Sequence, residues 1–325
     1  MRRTRKFYAN SFRGRLSSMI ALGTFSLAVM GVSAAQSVTT YSFTTVQRAG
    51  AAPAFEGESV SGTFDYNRDA IFIGTRGFPS PGASSYAGGI SNLVGSVGGR
   101  PFSDPFGIMV VGDDRFLPLG GSDILVFGAD PALVTLPSPQ FVNFDGFDIN
   151  GHELINARFF WIEGQVGIAD FLGTQNPPAT LPNFPGRLAL DLLPFGVAFP
   201  AREVIFENLI VRQVIKIDVK PGDDPAIINV ASKGKTPVAI LTTDAFDAIQ
   251  VDPLSVQFGP RGAFESHGRA HVEDVDRDGD IDLILHFDTQ EAGIQCGDTD
   301  ITLIGETFDV QLISGHDAIT TVNCP

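Results

Sequence analysis

A run of aspartates near the end of the chain has the residue type and spacing that a metal ion requires. Like charges this close repel one another, and a bound divalent cation removes that repulsion. Calcium takes six to eight oxygen ligands, often from a loop that begins Asp-x-Asp-x-Asp-Gly with its glycine at position 6. Gly279 holds that position here and allows a tight turn. The run therefore predicts a Ca²⁺ site. Its carboxylates are Asp274, Asp276, Asp278, Asp280 and Asp282.

The residues after this run decide which kind of calcium loop it is. EF-hands and dockerins need an acid at position 12 between two helices, but position 12 is Leu285 and the stretch 283–287 is β-prone. The run instead resembles the strand-flanked loops of integrin-type propeller repeats, in which an aspartate at position 9 closes the site. That resemblance implies Asp282 as the closing ligand. We expect further ligands from the side chains of Asp274, Asp276 and Asp278 and from the carbonyl of Asp280, whose side chain faces solvent.

Two other interpretations of the run stay open, a solvated acidic turn and a catalytic metal site. Magnesium fits less well than calcium because it retains its water ligands and rarely occupies an all-protein cage.

Two histidines just before the run, His267 and His271, are four residues apart, a spacing that can hold zinc on a helix. Gly268 lies between them and no third ligand is evident, so we interpret them as a loop or structural pair. We expect His286 to be packed in a strand.

The sequence provides little support for catalysis. It contains no nucleophile elbow, phosphate-binding loop or dinucleotide-binding glycine pattern. A glycosidase needs two opposed carboxylates, which any acidic chain can offer. Trp161, the single tryptophan, could be a sugar-stacking platform, although core packing is the favoured interpretation. We therefore expect a protein that is not an enzyme.

Composition indicates a folded chain that is rich in strands. The 325 residues include 36 Gly and 21 Pro, with 43% hydrophobic and 18% charged residues. Such a chain can bury a substantial core, and frequent turn residues favour many short strands. The expected fold is all-β, with two β-sandwich domains of jelly-roll or Ig-like type. We place a glycine- and phenylalanine-rich domain at 36–213, with phenylalanines in its core, and a second domain at 214–325.

The first 35 residues are typical of a secretory signal peptide. Six basic residues and no acid precede or adjoin an apolar run from Met19 to Val32, and small residues follow it. An uncleaved membrane anchor is the alternative, but 14 apolar residues are short for a span. We expect a mature chain without a membrane span or C-terminal anchor that is secreted, extracellular or periplasmic. The sequence leaves both Sec and twin-arginine export open.

Charge and cysteine usage agree with export. The formal net charge is −15, and removal of residues 1–35 with their six basic residues makes it about −21. A chain this acidic is not expected to bind nucleic acid or anionic lipid, and it should attract cations. The two cysteines, Cys296 and Cys324, both lie in the C-terminal third. In an oxidising compartment they predict one disulfide, with free thiols or an intermolecular pair as the alternatives.

The C-terminal segment is similar to a β-module found in secreted bacterial proteins of mostly unknown function. The matching stretches cover nearly all of 214–325. They are Ile217–Gly222, Lys233–Thr242, Val251–Pro253, Glu273–Gly279, Leu283–Phe287, Thr289–Asp298 and Gly305–Thr307. Residues 36–212 resemble the β-domains of exported surface proteins that end in a PEP-CTERM sorting signal, a signal not found here. These resemblances imply export and a β fold, and no enzymatic activity.

Together these observations predict a secreted, calcium-stabilised structural or interaction protein. Two alternatives remain, a carbohydrate-binding or adhesion protein of the bacterial surface and an extracellular hydrolase. The partner, whether protein or glycan, and the oligomeric state are not determined by the sequence. We expect any ligand contact in the N-terminal domain.

Overall fold

The structure is a computed structural model that describes residues 38–47, 58–75, 82–116, 122–128, 152–162, 172–194 and 202–324. The expected signal peptide, residues 1–35, lies outside the described residues. No helix in the described ranges is long and apolar enough to span a membrane.

The described chain is nearly all β, as the sequence predicts. In most strands of the first part, buried and exposed residues alternate, which is the period expected when one face of a strand meets a core. Nine strands lie in the described residues before residue 215. They are β1 (Val38–Gln47), β2 (Ser59–Asn67), β3 (Ile71–Thr75), β4 (Ser84–Val97), β5 (Arg100–Phe116), β6 (Ser122–Gly128), β7 (His152–Ile162), β8 (Gly186–Pro194) and β9 (Arg202–Val214).

Eight of these strands close into a barrel, which differs from the β-sandwich expected for this part of the chain. The order is β1-β2-β4-β5-β6-β7-β8-β9, and β1 pairs antiparallel with both β2 and β9, while β3 pairs with β4. Closure satisfies the edge hydrogen bonds that an open sheet leaves exposed. Alternation within a strand is the same in a sandwich and a barrel, so only the pairing of β1 with β9, about 170 residues apart, distinguishes them.

Aromatic side chains fill the barrel. Phe43 and Phe159 meet edge to face with ring centroids 4.9 Å apart, and Phe127 meets Trp161 in the same way at 5.9 Å. Such geometry aligns the positive ring edge with the negative face of its neighbour. The expectation that phenylalanines form the core is therefore confirmed for most of those whose burial is described in this part of the chain, although Phe72 is 55% exposed. The largest fully buried side chains here are Trp161, Tyr41, Tyr66, Phe43, Phe64, Phe127, Phe159 and Phe206.

A segment without regular structure, residues 172–185, packs onto this core. The Tyr86 hydroxyl donates to the carbonyl oxygen of Gln175 (2.8 Å), and the backbone N–H of Leu172 donates to the buried Asp123 carboxylate (2.7 Å). Burial raises the pKa of Tyr41 to about 12, although the N–H that Leu181 donates to its hydroxyl oxygen opposes the rise. The hydroxyls of Tyr86 and Tyr41 thus anchor the segment through hydrogen bonds to its backbone.

The remaining strands form two sheets around a second core. These strands are β10 (Ile217–Val219), β11 (Ala226–Asn229), β12 (Lys235–Ile240), β13 (Gln257–Phe258), β14 (Ala263–Phe264), β15 (His271–Glu273), β16 (Asp282–Asp288), β17 (Asp300–Glu306) and β18 (Leu312–Val322). One sheet has the order β10-β12-β16-β15, and the other continues from β9 through β18, β17, β13 and β14, with β11 on β18. The core between them, called the aliphatic core below, consists mostly of aliphatic residues such as Val238 and Ile313, with Phe258 stacked on Phe287. A 3₁₀ turn spans Ala248–Gln250.

The two cores meet at the end of β9. Val211 is the last strand residue in the aromatic core, and Ile215 is the first member of the aliphatic core. Across this point β9 pairs in parallel with β18, Ile313 opposite Gln213 and Ser314 opposite Val214. The Ser42 hydroxyl also lies 2.9 Å from that of Ser314. Backbone pairing and side-chain hydrogen bonds therefore join the barrel strands to the C-terminal strands.

The predicted disulfide between Cys296 and Cys324 is confirmed. The two Cα atoms are 5.7 Å apart, within the range that a disulfide spans. The bond joins the turn before β17 to the residue that follows β18 by two positions, so it encloses the antiparallel β17–β18 pair. Nearby, the N–H of Gly297 donates to the Thr321 hydroxyl (2.9 Å), which ties the same two segments together.

Candidate functional site

The aspartate run forms the loop of a β-hairpin. Strand β15 ends at Glu273, which pairs with Asp282 at the start of β16, and residues 274–281 connect them. Position 12, Leu285, is fully buried within β16 and contributes to the aliphatic core. The loop is therefore flanked by strands, and Leu285 is not available as a ligand. Both features are incompatible with an EF-hand or a dockerin, as the sequence predicts.

Three of the five aspartates converge. Asp274, Asp276 and Asp282 each offer a carboxylate oxygen, and these oxygens lie within 4.8 Å of one another. Asp274 Oδ1 is buried and has no hydrogen-bond partner among the described residues. Lys216 Nζ lies 3.9 Å from Asp276 Oδ2, but the lysine side chain is 64% exposed. A mobile, solvated ammonium offsets little of the repulsion among three carboxylates.

The other two aspartates are not part of this group. Asp278 and Asp280 are exposed, and the Asp278 carboxylate accepts the N–H of Asp280 (2.9 Å). Asp276 accepts the N–H of Asp278 in the same manner at 3.3 Å. These local bonds shape the turn, as short acidic side chains do in loops. Arg277 (φ 65°) and Gly279 (φ 102°) have the positive φ values that let the chain reverse within the loop.

Asp282 also holds the loop to the neighbouring strand region. Its side chain is completely buried, Oδ1 accepts the N–H of Thr242 (2.8 Å), and Oδ2 accepts the N–H of Val275 (2.8 Å). Thr242 adds a bond from its hydroxyl to the carbonyl oxygen of Ile281 (2.6 Å). One carboxylate thus satisfies two backbone donors that are distant in sequence, a role that spacing within the run does not reveal.

This role predicts a calcium-independent effect of substitution. In the presence of a chelator, Asp282→Ala should lower the free energy of unfolding by about 2–4 kcal/mol, because each buried donor that loses its acceptor costs about 1–3 kcal/mol. Urea denaturation measures the loss. Asp280→Ala, at an exposed position, is the matched control and should change the free energy by less than about 0.5 kcal/mol. Equal effects of the two substitutions would contradict the structural role.

A second group of potential ligands lies on the same hairpin. His267, His271 and His286 each offer a ring nitrogen, and these nitrogens lie within 4.8 Å of one another. His271 is in β15 and His286 is in β16, as expected for a histidine in a strand. Desolvation, and then the nearby His267 and His271, lower the pKa of His286, which favours its neutral form. The sequence pointed to the pair His267 and His271, but the third member is 15 residues beyond His271 and comes close only through strand pairing.

The position of Trp161 contradicts a sugar-stacking role. Its side chain is 1% exposed, and its Nε1 donates to the carbonyl oxygen of Phe184 (3.2 Å). A stacking platform must present a ring face to solvent, so Trp161 belongs to the core, the interpretation that the sequence favoured.

One cavity of about 230 Å³ lies between the 172–185 segment and the turn that contains Asp309 and Gln311. It is smaller than the roughly 300–1,000 Å³ typical of small-molecule sites. Its lining includes Leu172, Pro178, Leu181, Asn183, Asp309 and Gln311.

The comparisons with known proteins identify no relative. The chain matches no protein-family model, no curated protein and no solved structure.

Proposed function

We propose that this protein is a secreted, non-enzymatic structural or interaction protein whose C-terminal part is stabilised by calcium. The ion would be held at the 274–282 loop by the side chains of Asp274, Asp276 and Asp282, with Asp278 and the carbonyl of Asp280 completing the set that the sequence predicts. The bound ion would fix the loop that connects β15 to β16, and β16 contributes three residues to the aliphatic core.

The convergence of three carboxylate oxygens within 4.8 Å is the observation that carries the proposal. The hairpin turn holds these carboxylates close together, and a cation between them would offset their mutual repulsion. Asp274 Oδ1 adds an independent indication because a buried acceptor without a donor is costly, and a cation would satisfy it. Hard carboxylate oxygens suit calcium better than the softer transition metals.

Export and two-layer packing are further parts of the proposal. The basic and apolar pattern of residues 1–35 supports a signal peptide, and a disulfide is typical of proteins in oxidising compartments. The aliphatic core shared by two sheets supports a sandwich for 214–325. The resemblance of this segment to a secreted bacterial β-module agrees with both.

Calcium is expected to raise the melting temperature of the purified chain. Extracellular calcium modules bind with Kd on the order of 10⁻⁴–10⁻³ M. At about 10 mM calcium such a site adds roughly 1.4–2.7 kcal/mol by mass action. For a chain of this size the unfolding entropy is roughly 0.6–0.7 kcal/mol/K, so the melting temperature rises by about 2–4 °C. Differential scanning calorimetry with calcium and then with a chelator measures the shift.

Matched aspartate variants locate the effect. Asp276→Asn should abolish the calcium-dependent shift, whereas Asp280→Asn, at an exposed position outside the convergent group, should retain it. Magnesium at the same concentration should produce a smaller shift than calcium. A melting temperature that calcium does not change, or an equal loss in both variants, would refute calcium binding at this loop.

A further inference from the structure

We propose that His267, His271 and His286 form a binding site for a transition-metal ion of the zinc class, separate from the calcium loop. Three imidazoles from two strands and a turn converge without any carboxylate in the group. This site does not depend on calcium binding at residues 274–282, and it would be a second metal site in the same hairpin.

Strand pairing directs two of the imidazoles to the same side of the sheet. His271 in β15 lies opposite Ile284 in β16, and His286 is two residues beyond Ile284. Side chains two residues apart on a strand point to the same face, so His286 projects on the side of Ile284 and His271. The ring centroids of His271 and His286 are 5.5 Å apart. This arrangement comes from the backbone and is therefore held before any ion arrives.

A buried glutamate positions the third imidazole. The Glu265 side chain is 1% exposed, and Oε2 accepts the N–H groups of His267 (2.6 Å) and Arg269 (3.2 Å). Burial alone would raise the pKa of Glu265. Its backbone N–H donors, which include that of His286, outweigh burial and hold this pKa below its ordinary value. The turn at Gly268 (φ 65°) is thereby fixed, and the His267 ring centroid lies 5.2 Å from that of His286.

Glu265 also fits a supporting role toward a bound metal. Its Oε1 lies 3.5 Å from Nδ1 of His267, close to hydrogen-bond distance. Histidines that bind metals commonly donate their other ring N–H to a carboxylate, which fixes the tautomer and orients the ring. In this arrangement Nε2 of His267 would remain available to the ion.

One imidazole nitrogen lacks a partner. Nδ1 of His286 is buried and makes no hydrogen bond within the described ranges. The backbone of His286 is held by neighbouring residues, since its carbonyl oxygen accepts the N–H (2.9 Å) and hydroxyl (2.7 Å) of Ser266 and its N–H donates to Glu265 Oε1 (3.4 Å). A polar atom left in this state is costly, and an ion or an ion-bound water in the group would relieve that cost.

The distances require only a small adjustment. A point equidistant from three atoms 4.8 Å apart lies about 2.8 Å from each, whereas Zn–N bonds are about 2.0–2.1 Å. Each nitrogen must therefore move inward by less than about 1 Å, and His267 and His271 are exposed enough for their side chains to rotate. Nitrogen ligands select zinc and its neighbours over calcium, which prefers oxygen.

The group faces an open depression of about 550 Å³. Besides the histidines, its walls include Pro221, Pro237, Ile284 and Glu273. Three protein ligands leave the fourth tetrahedral position for water or for an oxygen atom of a small ligand, the pattern of zinc sites that retain an open position. The depression gives an ion a route to the imidazoles.

Zinc titration of the full chain at saturating calcium tests the proposal. Isothermal titration calorimetry should show one Zn²⁺ per chain with micromolar or tighter affinity. His271→Ala should weaken binding by at least about 100-fold, since removal of a supporting group alone costs 10–100-fold. Circular dichroism of the exposed His271→Ala variant verifies that its fold is unchanged.

Two matched controls separate this site from others. His316→Ala removes an exposed histidine that lies beside Asp300, and it should leave zinc affinity unchanged. Asp276→Asn should retain zinc binding while the calcium shift is lost, so failure of one proposal is distinguishable from failure of the other.

Co²⁺ in place of zinc should give the visible bands of nitrogen-ligated cobalt in the wild type but not in His271→Ala. Absence of zinc binding, or equal loss in His316→Ala, would overturn the proposal.

Discussion

Replacing Trp161 with alanine is expected to lower the free energy of unfolding by about 3–5 kcal/mol, the range for removal of a buried aromatic side chain. The ring lies 1% exposed in the barrel and contacts Phe127 edge to face. The substitution leaves a cavity and removes the donor to the Phe184 carbonyl oxygen. Because Trp161 is the only tryptophan, tryptophan fluorescence does not report on unfolding of the Trp161→Ala variant. Urea denaturation should therefore be followed by circular dichroism, which detects unfolding of both the wild type and the variant.

Two further variants test the cause of this loss. Trp161→Phe retains most of the aromatic contact and should cost about half as much. Phe308→Ala removes a side chain that is 64% exposed and should change the free energy by less than about 0.5 kcal/mol. If Trp161→Ala were as stable as the wild type, the ring would not belong to the core. Loss of glycan binding in Trp161→Ala would therefore be explained by damage to the barrel rather than by loss of a sugar-stacking surface.

Removal of the disulfide is the second large effect. The pair Cys296→Ser and Cys324→Ser should lower the free energy of unfolding by about 3–4 kcal/mol, because the crosslink no longer restricts a loop of 28 residues in the unfolded chain. The folded state should change little, since β17 and β18 remain paired from Asp300–Ala318 to Glu306–Leu312. Urea denaturation at equal calcium concentration measures the difference.

Reduction of the wild type provides the control for this result. Wild-type protein with a reducing agent should unfold at the same urea concentration as the double serine variant, and the reducing agent should not alter the variant itself. Each variant that lacks the crosslink should also show a larger denaturant dependence because its unfolded chain is more extended. A double serine variant with wild-type stability would show that the crosslink adds nothing to this fold.

These predictions assign separate roles to two parts of the chain. The barrel depends on aromatic packing and contains the 172–185 segment, whereas the C-terminal part contains the disulfide, the aspartate loop and the three histidines. Both groups of potential metal ligands lie on β15, β16 and the turns beside them. The two proposed metal sites therefore share one short hairpin of the C-terminal part and the turns beside it.

Local features were readable from the sequence because their residues are neighbours along the chain. The aspartate run and Leu285 predicted a strand-flanked loop, since ligand spacing and strand periodicity both act over a few residues. The two cysteines predicted their bond because only one intramolecular pairing exists. Alternation and phenylalanine content predicted an all-β chain with an aromatic core, which burial of the apolar residues enforces.

The tertiary structure decided what depends on partners far apart in the chain. Closure of the barrel rests on hydrogen bonds between β1 and β9, and hydrophobic alternation does not specify which strand lies beside which. Asp282 is an anchor because Thr242, 40 residues earlier, presents its N–H to it. His286 joins His267 and His271 through the register of β15 on β16. Sequence patterns record which face a residue occupies, whereas these contacts depend on strand register and on which strands are neighbours.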